Sequence, residues 1–216
     1  MRKKLIKNTL WAAFGLFIFA MGLHMTIRAS IGTAPWDVLC LGMVKHMPIK
    51  YGTASIIVSA AVLTADIAMR ESIGVGTLLD AFAVGKMVDL LDYLDFVPYG
   101  HNLLTGVLIF FVGVVLESIG QRIYMSAGLG CGPRDALMVG LGKRIRKVPI
   151  GAVSAAILVT VFAIGWILGG PVGIGTLLYL GQSAVMQAVF HITHFEPRNI
   201  QNENLRESWR HLRNQA

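Results

Sequence analysis

The sequence predicts an all-α polytopic membrane protein, a transmembrane helical bundle built from two tandem repeats of about 98 residues. Only 14% of the 216 residues are charged and mean hydropathy is +0.63, whereas a soluble domain carries about 25% charged residues. The stretch from Val148 to Phe195 contains no Asp, Glu, Lys or Arg, which is enough chain for two membrane helices of roughly 20 residues each. This composition argues against a soluble enzyme, a nucleic-acid-binding domain and a disordered chain.

The first predicted helix follows a basic N-terminus, residues 1–8. The uncharged run from Asn8 to Ile27 resembles a secretory signal, but it is as long as a full span and lacks a small-residue cleavage site. We therefore predict a retained helix whose N-terminus lies in the cytoplasm. The net charge of +7 then reflects the basic bias of cytoplasmic loops and tails, with no nucleic-acid partner.

Seven further apolar segments follow the first one, which makes eight. Proline and glycine separate them at Pro48, Pro98, Pro149 and the Gly-Gly-Pro of residues 169–171, because proline removes a backbone donor and ends or kinks a helix. The segments are 35–47, 52–69, 73–91, 102–125, 133–145, 150–168 and 172–194.

An internal duplication divides these segments into two membrane repeats, residues 9–97 and 98–195. With an offset of 98 residues, 15–45 aligns with 113–143, including the pairs Pro35/Pro133 and Asp37/Asp135. With an offset of 99, residues 74–79 align with 173–178. Duplicated halves are typical of transporters, whose substrate sites often lie where the repeats meet.

The number of spans stays open at six to eight, because two of the segments are short. A helix of about 13 residues beginning at Pro35 or Pro133 covers roughly 20 Å, less than the 30 Å hydrocarbon core. If both short helices cross, there are eight spans and parallel repeats, which we favour. If both are re-entrant, there are six spans and inverted repeats. Either arrangement places both termini in the cytoplasm.

The two short helices carry the motif best suited to binding. Pro35 and Pro133 stand at the first helical position, and Asp37 and Asp135 follow two residues later, near the positive end of the helix dipole. These carboxylates either cap their own helices or line a solute path where the repeats meet. Arg134 favours the second interpretation, because a guanidinium can hold a carboxylate or phosphate in bidentate fashion.

Ionisable residues inside the apolar segments are further candidates. Glu117 and Arg122 lie in or near an apolar helix, where charged groups are costly and often functional. The alternative is an internal ion pair of Glu117 with Arg134 or Arg122. Thr77 and Thr176 could contact a solute or simply permit close helix packing. The same question of role arises for Asp66, Asp80 and Lys86.

The sequence gives no support for enzymatic activity, a metal or a cofactor. His191 and His194 have helical spacing, but no carboxylate or cysteine accompanies them. Cys40 and Cys131 occupy non-equivalent repeat positions and predict neither a disulfide nor a zinc site. We therefore predict a protein that is not an enzyme, without catalytic residues or cofactor.

The C-terminal segment, residues 196–216, differs in composition from the repeats. Leu205, Trp209 and Leu212 share one helical face beside three arginines. This pattern predicts either an amphipathic helix on the anionic inner membrane surface or a solvated cytoplasmic tail.

Three motifs resemble those of the YczE family of bacterial integral membrane proteins, which is related to the YitT group. They are GTAPWDVL at 32–39, GLGCGPRDALM at 128–138 and VGIGTLL at 172–178. The resemblance spans about residues 10–194 and implies a location in the bacterial plasma (inner) membrane. It implies no substrate and no catalytic residue.

Taken together, these features predict a permease for a small polar or anionic solute, embedded in the lipid bilayer as a monomer or homo-oligomer. Asp37, Arg134 and Asp135 would line the site, Glu117 and Arg122 would set its charge, and Thr77 and Thr176 would flank the path. The alternative is a membrane scaffold or regulator that binds a cytoplasmic protein through the basic loop 143–147 and the tail.

Overall fold

The computed structural model describes residues 2–145 and 148–196, and within those ranges the chain is helical without strands. The all-α prediction is confirmed, and each of the eight apolar segments contains helix. The last segment is interrupted by a short 3₁₀ turn, Tyr179–Gly181. The helices are α1 (Arg2–Arg28), α2 (Pro35–His46), α3 (Tyr51–Ala68), α4 (Val75–Tyr93), α5 (Leu103–Ser126), α6 (Pro133–Arg144), α7 (Ile150–Ile167), α8 (Ile174–Leu178) and α9 (Gln182–Ile192). The predicted amphipathic tail lies outside the described residues beyond Glu196, and so does part of the basic loop 143–147.

The helix starts follow the sequence signals. Pro35 and Pro133 open α2 and α6, each 12 residues long. The amides of Gly74 and Gly173, just before α4 and α8, donate to the hydroxyls of Thr77 and Thr176 at 3.1 and 3.3 Å. Each threonine thereby satisfies a backbone donor that a helix start leaves unpaired.

Helices α1 and α5 pack closely against each other in antiparallel orientation. Gly15 meets Gly120 and Gly22 meets Gly113, so residue numbers rise along one helix as they fall along the other. A methyl group added to Gly22 would lie 2.5 Å from the Gly113 carbonyl oxygen. Glycine therefore allows these two backbones to approach as closely as they do.

The loops that follow α1 and α5 cross over to the opposite half of the chain. The Gly76 amide at the start of α4 donates to the Leu129 carbonyl at 2.8 Å, and the Gly175 amide in α8 donates to the Ile31 carbonyl at 2.7 Å. In the same way α2 packs on α7, and α6 packs on α3. Each half of the chain thus completes the packing of the other.

Three of the described helical segments are long and apolar enough to cross a membrane: Leu5–Arg28, Tyr51–Ala68 and Leu103–Ser126. The bundle also exposes large apolar side chains, a surface that suits lipid far better than water. Examples are Phe14, Leu108, Phe111, Val159, Trp166 and Ile167.

Candidate functional site

Polar side chains inside the bundle surround a cavity of about 230 Å³. Helices α1, α2, α3 and α4 line it from the first half of the chain, and α5, α6, α7 and α9 line it from the second. Its polar wall includes Ser55, Ser59, Asp80, Gln121, Arg134, Asp135, Gln182 and Ser183. Its aromatic wall includes Phe19, Trp36, Tyr124 and Tyr179.

Arg134 joins the first turns of the two short helices. Its Nη1 lies 3.8 Å from Asp37 Oδ1, and its guanidinium carbon lies 5.1 Å from the centroid of the Trp36 ring. Asp37 is only 1% exposed and also accepts a hydrogen bond from the Tyr51 hydroxyl at 2.8 Å. Arg134 itself is 25% exposed and faces the cavity. The structure therefore brings Asp37 and Arg134 together, with Asp37 behind the wall.

Asp135 and Asp80 lie together in the cavity wall near the Gly-rich turn before α6. A methyl group added to Gly132 would lie 2.6 Å from Asp80 Oδ2 and 3.8 Å from Asp135 Oδ2. Within residues 2–145 and 148–196, neither carboxylate has a hydrogen bond or an ion-pair partner. These two side chains are thus unpaired acceptors at the cavity.

Glu117 lies one layer behind the cavity. It is 0% exposed. The Tyr179 hydroxyl and Gln182 Nε2 each donate to its Oε2 at 3.0 Å, and the Thr26 hydroxyl lies 3.2 Å from its Oε1. In the part of the chain that the structure describes, Glu117 has no ion-pair partner, and neither alternative pair, with Arg122 or with Arg134, is present there. Glu117 therefore orients two side chains of the wall.

The three other candidates from the sequence lie away from the cavity wall. Arg122 places its guanidinium carbon 5.5 Å from the centroid of the Phe195 ring. The Thr77 hydroxyl donates to the Cys131 carbonyl at 2.7 Å and so holds the loop before α6. Thr176 packs against Gly32 in the loop before α2. Both threonines contact backbone of the opposite half of the chain.

Two buried donors at the cavity have no partner. Tyr124 is 4% exposed, and neither its hydroxyl nor Trp36 Nε1 forms a hydrogen bond within the described residues. Tyr124 lines the same cavity as the carboxylates of Asp80 and Asp135. Unsatisfied buried polar atoms are rare in native proteins and often mark places where a ligand or water binds.

Several residues of the site could not be predicted from the sequence. Tyr51, Tyr179 and Gln182 reach the buried carboxylates, and Tyr124 supplies a free donor. A polar side chain within an apolar segment is the signal they share, but the same signal fits a residue at the membrane surface. Among the described residues there is no group of three or more His, Cys, Asp or Glu side chains that could hold a metal ion.

Comparison with known proteins gives related sequences but no solved structure that matches. The model of a family of unknown function, DUF6198, matches residues 6–190. The chain is 30% identical over 180 residues to the uncharacterized membrane protein YczE of Bacillus subtilis, covering 82% of each chain. It is 29% identical over 196 residues to an uncharacterized protein of Haemophilus influenzae, covering 83% of this chain and 88% of the relative. It is 30% identical over 187 residues to YyaS of Bacillus subtilis, covering 84% and 90%.

Proposed function

The chain belongs to the DUF6198 family and is similar to the membrane protein YczE, and we propose that it is a permease for a small polar solute, with its binding site in the central cavity. The observation that supports this proposal is the composition of the cavity wall. Helices from both halves of the chain contribute to it, and its charged groups, Asp80, Arg134 and Asp135, come from α4 and α6. Ionisable side chains inside an apolar bundle are costly and often serve a solute or an ion.

The proposal includes a plasma-membrane topology of six spans in two inverted repeats, with α2 and α6 re-entrant. Helices α1 and α5 occupy equivalent positions in the repeated sequence, yet they pack antiparallel through Gly15–Gly120 and Gly22–Gly113. Equivalent helices that run in opposite directions are expected when repeats are related by an axis in the membrane plane. Eight spans would instead make the two helices run in the same direction.

Ion pairs between distant segments also favour six spans. Arg28 at the end of α1 pairs with Asp92 at 2.7 Å, and Glu71 between α3 and α4 pairs with Lys143 at 2.8 Å. With six spans, both members of each pair lie on the same side of the membrane. With eight spans, the two members of each pair would lie on opposite sides, which a direct contact does not permit.

Inverted repeats suit transport because they supply two similar half-sites with opposite orientation. A site where they meet can open to one side or the other when one half moves relative to its partner. The short helices α2 and α6 meet at this point through Asp37 and Arg134, so a movement of either half would change the cavity. Both termini are cytoplasmic in this arrangement.

Flux measurements on proteoliposomes test the proposal. Liposomes containing the full chain are mixed with a solution of ethanolamine, ethylene glycol or glycolate, which imposes a solute gradient. Light scattering follows the volume change as solute enters. We expect faster entry of at least one solute than into protein-free liposomes, and its loss in Arg134→Ala and Asp135→Asn. The control Glu71→Gln, outside the cavity, should retain flux. If no solute enters faster, the permease proposal fails, and the scaffold alternative would take its place.

A further inference from the structure

We propose that the solute carries a protonated amino group and that Asp80 and Asp135 bind it. This inference rests on the proposed permease function and names the class of substrate. It also narrows the sequence-based expectation of a polar or anionic solute, because the charges at the cavity favour a cation.

The charge balance of the cavity wall is the first argument. Arg134 is the positively charged side chain among its described lining residues, and Asp80 and Asp135 are the negative ones. Asp37 already pairs with Arg134 from behind the wall. Among the described residues, Asp80 and Asp135 then have no ion-pair partner of their own. An anionic solute would meet this excess negative charge, whereas an ammonium group would compensate it.

The position of the two carboxylates is the second argument. Both Asp80 Oδ2 and Asp135 Oδ2 lie close to one point beside Gly132, so a single small group can reach both. An ammonium group has three donors, which suits two carboxylates and one further acceptor. Glycine at position 132 lets Asp80 lie this close to the backbone, because the methyl group of alanine would lie 2.6 Å from Asp80 Oδ2.

Tyr124 is the independent observation that points to a ligand. Its hydroxyl is buried and has no hydrogen-bond partner in the described chain, and its side chain lines the same cavity as Asp80 and Asp135. A hydroxyl both donates and accepts, so it can accept from an ammonium group that the carboxylates hold. Phe19, Tyr124 and Tyr179 line the same cavity, and aromatic rings attract cations.

Cavity size limits the class further. Pockets for drug-sized ligands are about 300–1,000 Å³, and this cavity has about 230 Å³. The solute is therefore a compact amine of several heavy atoms. Trp36 Nε1, also without a partner in the described residues, and the hydroxyls of Ser55 and Ser59 can bind its neutral polar part.

Three probes of similar size and different charge test the inference: ethanolamine, ethylene glycol and glycolate. Thermal unfolding of the purified full-length protein in detergent is measured with each probe, because a ligand of the folded state raises Tm. We expect ethanolamine to raise Tm and the other two to leave it unchanged. Asp80→Asn and Asp135→Asn should each weaken ethanolamine binding about tenfold or more, the loss expected for one charge-assisted hydrogen bond.

The variants keep side-chain shape, and their Tm without ligand shows whether they fold. Glu71→Gln, a carboxylate change outside the cavity, should bind ethanolamine as the unmodified chain does. Stabilisation by glycolate alone, or by no probe, overturns the amine inference. Glycolate entry into proteoliposomes that requires Arg134 would overturn it while leaving the permease proposal intact. Ethanolamine binding that requires Asp80 without flux of any probe would support the binding site and overturn the permease.

Discussion

Arg134 Nη1 lies 3.8 Å from Asp37 Oδ1, and this contact joins the starts of the two short helices α2 and α6. Asp37 is buried and held by the Tyr51 hydroxyl, whereas Arg134 reaches the cavity. A carboxylate in such a place is tolerated only while a cation or hydrogen-bond donors compensate it. The pair therefore has a structural role at the point where the two halves of the chain meet.

Replacing Arg134 with alanine should destabilise the protein, because Asp37 would remain buried without its cation. We expect the free energy of unfolding to fall by about 3 kcal/mol. This is the lower end of the range for breaking a buried ion pair, because Arg134 is partly exposed. The double variant Asp37→Asn/Arg134→Ala should lose less stability than the sum of the losses in the two single variants. Thermal unfolding in detergent measures all three. Strictly additive losses would show that the two side chains do not interact.

The close contact of α1 with α5 predicts that alanine destabilises the protein at a glycine in this contact but not at an open glycine elsewhere. Gly22→Ala should lower Tm by several degrees or prevent folding, because the added methyl would lie 2.5 Å from the backbone of Gly113 and Glu117. Gly181→Ala is the matched control, since nothing lies within 4 Å of a methyl group there. Its Tm should stay unchanged or rise slightly. Equal effects of the two changes would contradict the helix contact.

The local structure could be predicted from the sequence, and the contacts between distant segments could not. Pro35 and Pro133 predict the starts of α2 and α6 correctly, because proline acts on its own backbone. The duplication predicted from the sequence aligns Asp37 with Asp135, yet the structure pairs Asp37 with Arg134. Sequence equivalence describes which residues play similar parts in the two halves. It does not state which residues touch when the halves pack together.

Because the sequence does not reveal contacts between distant segments, some predicted site residues lie away from the cavity and some residues of the site could not be predicted. Thr77 and Thr176 follow paired glycines, and their hydroxyls serve backbone amides, a local role that resembles a solute contact in sequence. Tyr124 belongs to α5, which packs against α1, but it becomes a site candidate only because it shares a cavity with Asp80 on α4 and Asp135 on α6. Such a cluster depends on tertiary packing, which no spacing along the chain reveals.

The contacts of Arg28 predict that lysine cannot replace arginine at this position. Its guanidinium bonds to Asp92 at 2.7 Å and Asp95 at 2.6 Å and stacks on Tyr99 at 4.1 Å. Lysine keeps the charge but lacks the planar fork and the stacking surface. Arg28→Lys should therefore loosen the segment 94–102 and increase its cleavage by protease several-fold.

Mass spectrometry of the fragments measures cleavage in the Arg28→Lys variant. Arg70→Lys, a change at an exposed arginine between α3 and α4, is the control and should leave cleavage of 94–102 unaltered. Identical cleavage in both variants would show that the guanidinium contacts of Arg28 do not hold this segment.

The proposed topology predicts opposite labelling of two positions. Lys50 and Arg70 stand on either side of α3, and one span separates them in any topology in which α3 crosses. Six spans place position 50 outside and position 70 in the cytoplasm, whereas eight spans reverse both. Single cysteines, Lys50→Cys and Arg70→Cys, are introduced after Cys40→Ala and Cys131→Ala remove the native thiols. A membrane-impermeant maleimide added to intact cells should label only position 50.

Permeabilised cells supply the control for this labelling, because both cysteines should then react if both are exposed. Lys50 and Arg70 are exposed in the structure, so each thiol is accessible once the reagent reaches its side. Labelling of position 70 but not 50 in intact cells would overturn the inverted repeats. The antiparallel packing of Gly15–Gly120 and Gly22–Gly113 could not then join equivalent helices of two parallel repeats. The site between the halves would lose its basis for opening alternately to the two sides of the membrane.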